Sequence, residues 1–174
     1  MKTNIILTGM PGAGKSTVGV ILAKTLGMDF VDVDIRIART QGMPLQTLLD
    51  TRGIDAFLKA EEQEALALNA SDTVIATGGS MVLSEAAMTH LMKSGVNVYL
   101  AVPLRILAER LINIKTRGVV AKPGETLADV WDARKPLYKK YAQITVNCGD
   151  LTTEEIVAEI CLKYQKEIKK MSRR

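Results

Sequence analysis

The sequence is poor in aromatic residues and cysteine, and it has no long hydrophobic run. Only 4% of its 174 residues are aromatic while 47% are hydrophobic, so a core must be built mainly from aliphatic side chains. Its two cysteines lack metal-ligand spacing and are too few for a disulfide framework. No run of eighteen apolar residues could span a bilayer, and the first residues lead into a strand pattern rather than a signal peptide. We therefore expect a cytoplasmic protein with no membrane partner.

An excess of positive charge is also absent from most of the chain. The net charge is +4, but the last twelve residues carry six lysines or arginines and one glutamate, so the remainder is at −1. Such a basic stretch is typical of a solvated helix C-terminus. The charge therefore does not indicate a nucleic-acid partner, and the length favours a single domain, residues 1–174.

Apolar β-branched runs alternate with helical patterns along the chain. The strand-like runs begin at Asn4, Asp29, Thr73, Val96 and Ile144. Their nearly continuous hydrophobicity, with helical segments between them, predicts a central five-stranded parallel sheet with helices on both faces, a three-layer α/β/α arrangement. The helical segment from Pro44 to Asn69 is interrupted at Arg52 and Gly53, and Thr152 with Glu155 predicts a capping box.

A phosphate-binding loop lies between the first predicted strand and the first predicted helix. Gly9, Gly14, Lys15 and Ser16 satisfy the pattern GxxxxGKS. The glycines let backbone N–H groups turn inward around an anion, Lys15 can reach the terminal phosphates, and the Ser16 hydroxyl can ligate Mg²⁺. The motif predicts binding of a nucleoside triphosphate and leaves the phosphate acceptor open.

Two aspartates in the segment VDVD, Asp32 and Asp34, stand at the end of the second predicted strand. Side chains two apart on a strand point to the same side, so we expect both carboxylates to face the ligand edge of the sheet. One could hold Mg²⁺ through water while the other orients or deprotonates an attacking hydroxyl. The alternative is that the pair caps the helix that follows.

The third predicted strand ends in Thr77, Gly78 and Gly79. The glycines allow a ligand or another backbone to approach closely. Many nucleotide switches and motors carry a metal-binding aspartate at the position of Thr77. Threonine here, in a chain of this size, favours a small-molecule kinase.

Taken in order, these segments resemble the shikimate kinase family, within the nucleoside monophosphate kinase-like group of P-loop folds. The matching elements are GMPGAGKST, FVDVD, Gly53-x-x-x-Phe57, VIATGG, a lid-type Arg117 and RKPLY. They extend over residues 5–147. The resemblance implies a helical substrate-binding segment near 33–61 and a mobile lid near 112–125.

The resemblance also implies a role for each matching residue. Lys15, Asp34 and Arg117 would be catalytic, with Asp34 contacting the hydroxyl that is phosphorylated. ATP would be bound by Gly12, Ala13, Gly14, Lys15, Ser16, Thr17, Arg110 and Arg117. The acceptor would contact Asp34, Glu61, Gly78, Gly79 and Arg134, and Arg134 would pair with its carboxylate. Ser16 and Asp32 would serve Mg²⁺.

Departures from the family pattern fall on the acceptor side and in the lid. Leu58 stands where the family has a second carboxylate-binding arginine, Ser80 replaces a third glycine, and residues 118–120 read Gly-Val-Val instead of Pro-Leu-Leu. Leucine cannot replace charge-assisted hydrogen bonds worth ~1.5–3 kcal/mol each, so we expect a roughly tenfold or greater loss of shikimate affinity unless Lys59 compensates. The nucleotide side is intact.

These observations predict an ATP- and Mg²⁺-dependent kinase that phosphorylates a hydroxyl of a small metabolite, with shikimate as the leading acceptor. One alternative is a related kinase whose acceptor is a different hydroxylated metabolite, because of Leu58 and Ser80. Another is a nucleotide-binding regulatory module that transfers nothing, since fold alone does not establish function. ATP and the metabolite are the expected partners, and a monomer is expected.

Overall fold

A five-stranded parallel sheet forms the centre of the computed structural model, which describes residues 3–111 and 119–173. The strands are β1 (Asn4–Thr8), β2 (Asp29–Asp32), β3 (Thr73–Ala76), β4 (Gly95–Ala101) and β5 (Ile144–Asn147). Their order is β2-β3-β1-β4-β5, and each neighbouring pair is parallel. The predicted parallel sheet is confirmed.

Helices cover both faces of this sheet. Within the described residues they are α1 (Lys15–Leu26), α2 (Val33–Gln41), α3 (Leu45–Ala67), α4 (Glu85–Ser94), α5 (Leu104–Arg110), α6 (Leu127–Tyr141) and α7 (Thr153–Met171). A 3₁₀ helix, Met81–Leu83, follows β3. Helix α1 packs on β1, β2, β3 and α7, whereas α4 packs on β1, β4 and α3. In the ranges 3–111 and 119–173, none of the helices is both long enough and apolar enough to cross a membrane.

The register of the sheet brings the loops that follow three strands to one edge. In β1 every residue is buried, because this strand lies between β3 and β4, whereas β5 at the edge alternates buried and exposed residues. Ala76 of β3 is in register with Leu7 of β1 and with Asp32 of β2. The segments after β1, β2 and β3 therefore leave the sheet together at its carboxyl edge, where ligands of open parallel sheets bind.

The second strand ends earlier than the sequence pattern predicted. Asp32 is the last residue of β2 and the N-cap of α2, and its Oδ1 accepts hydrogen bonds from the backbone N–H groups of Asp34 (3.0 Å) and Ile35 (3.3 Å). Asp34 therefore lies in the first turn of a helix. The prediction that Asp32 and Asp34 project from one face of a strand is wrong, since β3 ends opposite Asp32 and the carboxylate supplies the acceptors that the next N–H groups need.

Other local signals at helix ends are confirmed. Helix α3 is interrupted at Gly53, whose backbone is not helical. Thr152 and Glu155 form a capping box at the start of α7, and Thr126 with Asp129 forms another at the start of α6. Each box satisfies two N–H groups that a helix start would otherwise leave free.

A buried tyrosine, Tyr138 of α6, connects that helix to the segment after β3. Its ring stacks on Tyr99 of β4 with 5.1 Å between ring centroids, and its hydroxyl donates a hydrogen bond to the Gly79 carbonyl oxygen (2.6 Å). The residue has no exposed surface. Tyr138 therefore holds the glycine segment at a fixed distance from α6.

We predict that Tyr138→Phe lowers the free energy of unfolding by about 1–3 kcal/mol, because it leaves the Gly79 carbonyl without its partner. Urea unfolding measures the change. Tyr141→Phe, which removes a hydroxyl from the same helix, is the matched control and should fall within about 0.5 kcal/mol of the unmodified chain. Equal unfolding midpoints for the two variants would show that the tether contributes no stability.

Candidate active site

A cavity of about 290 Å³ opens at the carboxyl edge of the sheet, between the loop after β1 and the segment after β3. Its lining comes from six separate parts of the chain. The lining residues are Pro11, Gly12, Gly14, Lys15, Ser16, Thr17, Asp34, Phe57, Glu61, Thr77, Gly78, Gly79, Ser80, Val120 and Arg134. The topology thus brings the phosphate-loop motif and the charged residues of α2, α3 and α6 to one place.

The loop between β1 and α1 encloses the side chain of Lys15. Gly12 and Gly14 both have positive φ angles, 79° and 86°, which glycine adopts without strain. The Lys15 ammonium donates hydrogen bonds to the carbonyl oxygens of Gly9 (2.8 Å) and Met10 (2.9 Å). Burial lowers the pKa of Lys15 to about 8, against the opposing effect of the carboxylates of Asp34, Glu61 and Asp32. The lysine is therefore mostly a cation at neutral pH.

A hydroxyl and a carboxylate meet at the start of α1. Ser16 Oγ donates a hydrogen bond of 2.6 Å to Asp32 Oδ2. Among the residues that the structure describes, no three His, Cys, Asp or Glu side chains gather in a way that could hold a metal alone. Mg²⁺ bound with a nucleotide needs fewer protein ligands, since phosphate oxygens and waters fill its other positions. The Ser16–Asp32 pair fits such a site.

Two carboxyl groups, those of Asp34 and Glu61, face each other across Gly78. A Cβ atom at position 78 would lie 2.9 Å from Asp34 Oδ1 and would overlap Glu61 Oε1. Any side chain at this position would therefore displace one of the two carboxyl groups. From the sequence, a ligand or another backbone was expected to approach the two glycines closely. At Gly78 the groups that approach are side chains of the protein itself.

Burial shifts the protonation of both carboxyl groups. Glu61 is 2% exposed, and burial raises its pKa to about 7, a shift that Asp34 increases and that Ser80, Arg134 and Lys15 reduce. Burial also raises the pKa of Asp34, although the Lys15 ammonium opposes the shift. Glu61 Oε1 has no hydrogen-bond partner. A buried, unpartnered carboxyl oxygen that faces a cavity can accept a hydrogen bond from a ligand.

Arg134 of α6 supplies a second buried cation on the wall of the cavity. The residue is 4% exposed, and its Nη2 donates a hydrogen bond to the Val120 carbonyl oxygen. Its Nη1 is buried and has no partner. A guanidinium with a free N–H edge in a cavity can bind a carboxylate or phosphate with strong hydrogen bonds.

Thr77 stands at the position where many nucleotide switches have a metal-binding aspartate, and it makes structural hydrogen bonds instead. Its hydroxyl and its backbone N–H both donate hydrogen bonds to the Leu7 carbonyl oxygen, at 2.9 Å and 3.2 Å. The residue therefore joins the end of β3 to the end of β1, directly beneath the phosphate-binding loop.

Most of the site residues predicted from the sequence line this cavity, and three of those that the structure describes do not. Ala13 is buried behind the loop, and its N–H donates to the Met10 carbonyl oxygen (3.0 Å). Asp32 lies behind Ser16. Arg110, at the end of α5, donates a hydrogen bond to the Gly12 carbonyl oxygen (3.2 Å), which puts it beside the loop. Arg117 lies outside the described residues, as do positions 112–118 of the expected lid near 112–125.

The substituted positions border the cavity in different ways. Ser80 lines it directly. Leu58 does not line the cavity. It lines two neighbouring hollows, one together with Glu61 and Ser80 and the other together with Arg134. Lys59 is exposed and lines only the first of these hollows. The lysine is therefore not among the residues that could replace a cation inside the cavity.

Pro11, which lines the cavity, and Tyr138, which holds the neighbouring Gly79, were not identified as site residues from the sequence. Pro11 packs against Gly79 so closely that a Cβ atom at position 79 would overlap its ring. Tyr138 appeared only as part of RKPLY, with no contact assigned to it. Proline directly after the first strand is a turn signal, but nothing in the pattern indicated which segment it would touch.

Known proteins with similar sequences are shikimate kinases and proteins with a related segment. The family model described as shikimate kinase matches residues 11–165. The shikimate kinase of Thermodesulfovibrio yellowstonii is 36% identical over 166 residues, which cover 94% of this chain and 95% of that protein. Threonine synthase-like 1 of Homo sapiens is 40% identical over 158 residues, 90% of this chain. The chain spans only 21% of the length of that relative.

A solved structure agrees in fold over nearly the whole chain. The shikimate kinase from Acinetobacter baumannii in complex with shikimate is 29% identical and aligns with a TM-score of 0.87, covering 96% of this chain and 95% of that one. The similarity to shikimate kinases therefore extends over nearly the whole chain. It includes the elements that form the phosphate-binding loop and the charged cavity. The chain belongs to the shikimate kinase family.

Proposed function

We propose that this protein transfers the γ-phosphoryl group of ATP to a hydroxyl of shikimate, with Mg²⁺ as cofactor. The observation that carries the proposal is the convergence of Lys15, Asp34, Glu61 and Arg134 on one cavity next to the phosphate-binding loop. The cavity combines groups for the donor phosphates with groups for a hydroxylated, anionic acceptor. Relatives of the same length are shikimate kinases, which supports this choice of acceptor.

On the donor side, residues 12–17 would bind the phosphates through backbone N–H groups and the Lys15 ammonium. Lys15 is already held within the loop by carbonyl oxygens, so it needs only to exchange these partners for phosphate oxygens. Ser16 and Asp32 would hold Mg²⁺, which when bound neutralises charge that develops on the phosphates. Arg110 lies beside the loop, where it can contact the nucleotide. Arg117 would close over the phosphates as part of a lid formed by residues 112–125.

On the acceptor side, Asp34 would orient the attacking hydroxyl and accept its proton. Its raised pKa improves it as a base relative to an exposed aspartate. Glu61 and Gly79 would contact other parts of the acceptor, and Arg134 would bind its carboxylate through Nη1. Attack by the hydroxyl oxygen on the γ-phosphorus then forms the phosphate ester and releases ADP, while the proton passes to Asp34.

A different hydroxylated metabolite is the second candidate acceptor, and Leu58 supports it. Arg134 is the cation on the acceptor side of the described cavity lining, and Lys15 belongs to the loop. A third candidate is a nucleotide-binding module without transfer. These candidates are separated by a coupled assay of ADP release with shikimate, quinate, gluconate and homoserine, since a module without transfer gives no release that depends on an acceptor.

We predict that Asp34→Asn lowers kcat by about 100-fold or more while ATP affinity changes little, because the amide cannot accept the proton. Steady-state kinetics with the best acceptor of the panel, and equilibrium binding of ATP, measure the two effects. Asp29→Asn at the exposed start of β2 removes an equal charge and should leave both unchanged. Full activity of the Asp34 variant would refute its role as base.

We predict that Glu61→Gln stabilises the fold at high pH and weakens acceptor binding. Burial disfavours the ionised form of Glu61 in the folded state, and this raises its pKa from 4.5 to about 7. This penalty is absent below pH 4.5, grows as the pH rises to about 7, and is then constant. The glutamine variant should therefore gain on the order of 2–3 kcal/mol of relative stability between pH 4 and pH 8.

Denaturant unfolding of both proteins at pH 4 and pH 8 measures this gain, and acceptor KM is measured beside it. Asp55→Asn, at an exposed position of the same helix, is the control and should show no comparable pH dependence. If the glutamine variant is as stable as the unmodified chain at both pH values, or has the same acceptor KM, then Glu61 does not lower stability in order to bind the acceptor.

We predict that Leu58→Arg raises kcat/KM for shikimate by about tenfold or more, because it adds a cation able to make charge-assisted hydrogen bonds to the carboxylate. Leu66→Arg adds the same charge at an exposed position of α3 and should have no effect. If shikimate turnover does not improve in the Leu58 variant, the leucine does not limit carboxylate recognition.

A further inference from the structure

A second hollow of about 190 Å³ adjoins the cavity on the side of α6, and we call it the side hollow. Its walls come from α3, the 3₁₀ helix, the segment after residue 118 and α6. The lining residues are Ile54, Leu58, Leu83, Val120, Ala121, Lys122, Glu125, Val130, Ala133 and Arg134. Val120 and Arg134 line the main cavity as well, so the two spaces meet at these residues.

The side hollow is apolar except for the buried Arg134 and two exposed charged residues at its rim. Leu58 and Ile54 are half-buried on α3, and Leu83, which lines the same hollow, is 45% exposed. The two charged rim residues, Lys122 and Glu125, have opposite signs, and the Glu125 carboxylate accepts a hydrogen bond from the Lys122 backbone N–H (2.7 Å). Apolar side chains make up most of the lining of this concave surface, which suits an apolar group of a ligand.

Arg134, which lines both spaces, and Glu61, which lines the main cavity but not the side hollow, each carry an unpartnered polar atom. Arg134 Nη1 and Glu61 Oε1 are both buried and both lack hydrogen-bond partners. Arg134 offers a donor to an anionic group, and Glu61 offers an acceptor to a hydroxyl. Because Arg134 lines the side hollow together with Leu58 and Leu83, a ligand bound at its Nη1 would lie near these leucines.

We propose, on the basis of the function proposed above, that the side hollow receives an apolar part of the acceptor. The preferred acceptor class is then a hydroxy acid with one carboxylate at Arg134, a reacting hydroxyl at Asp34 and a hydrocarbon group against Leu58 and Leu83. A hydroxyl directed into the side hollow instead would lose its hydration without gaining a partner, which costs affinity.

The test uses a graded series of ligands that differ only in hydrocarbon length. The probes are 3-hydroxybutanoate, 3-hydroxyhexanoate and 3-hydroxyoctanoate, with binding to the full chain measured by calorimetry in the presence of MgADP. All three carry one carboxylate and one hydroxyl. Each methylene that enters the side hollow should tighten binding by about fourfold.

Substitutions at Leu58 show whether the gain comes from this hollow. Leu58→Arg and the uncharged Leu58→Gln should both flatten the gradient along the series, whereas Leu66→Arg on the exposed face of α3 should retain it. Thermal unfolding of each variant checks that it is folded. The series on the unmodified chain is informative even if a variant does not fold.

Two results would overturn the inference: equal affinities along the series in the unmodified chain, or a gradient that persists in the folded Leu58 variants. The test of the apolar subsite can fail or succeed independently of the test of the proposed function. Turnover of shikimate without a gradient would reject the apolar subsite alone. A gradient in a chain that does not phosphorylate shikimate would reject shikimate as acceptor and retain the subsite.

Discussion

The enclosure of four ionisable side chains in one cavity is the constraint on which the site depends. Lys15, Asp34, Glu61 and Arg134 all line the same space, and an isolated charge there would be strongly disfavoured. Each of these groups therefore relies on opposite charge nearby. Burial lowers the pKa of Lys15 to about 8, and three carboxylates limit this shift. Ligands that bring phosphate groups toward the lysine would stabilise its charged form further.

The proposed donor side and the proposed acceptor side of the cavity are built by different elements. The phosphate-binding loop and α1 carry Lys15 and Ser16, whereas α3 and α6 carry Glu61 and Arg134. The segment after β3 borders both sides, and it is held by Thr77 against β1 and by Tyr138 against α6. Leu58 of α3 adjoins Glu61 and Arg134 but does not line the main cavity beside the phosphate-binding loop.

The elements that sequence alone predicted are those specified by short-range patterns. Continuous apolar runs identified all five strands, and the capping box at Thr152 needed only residues three apart. The end of β2 was missed because VDVD alternates like a strand. The backbone after Asp32 has no partner opposite it in β3, which a one-dimensional pattern does not reveal. Asp34 nevertheless reaches the cavity, since the first turn of α2 starts at the same edge of the sheet.

The contacts that could not be predicted join residues far apart in sequence. Tyr138 and Gly79 are 59 positions apart. The overlap that any side chain at Gly78 would produce with Glu61 depends on how α3 lies against the segment after β3. The side hollow likewise exists only because α3, α6 and the 3₁₀ helix converge there. Sequence patterns indicated which residues carry charge, and tertiary packing determined which of those charges face each other.

The carboxylate of Asp32 has a mechanical consequence for the molecule. One of its oxygens accepts the Ser16 hydroxyl at the start of α1, and the other accepts the N–H groups of Asp34 and Ile35 at the start of α2. The two oxygens belong to one rigid planar group, so rotation that changes one set of bonds also changes the other. The first turns of these two helices are therefore linked, and neither can shift far without breaking a bond to the same side chain.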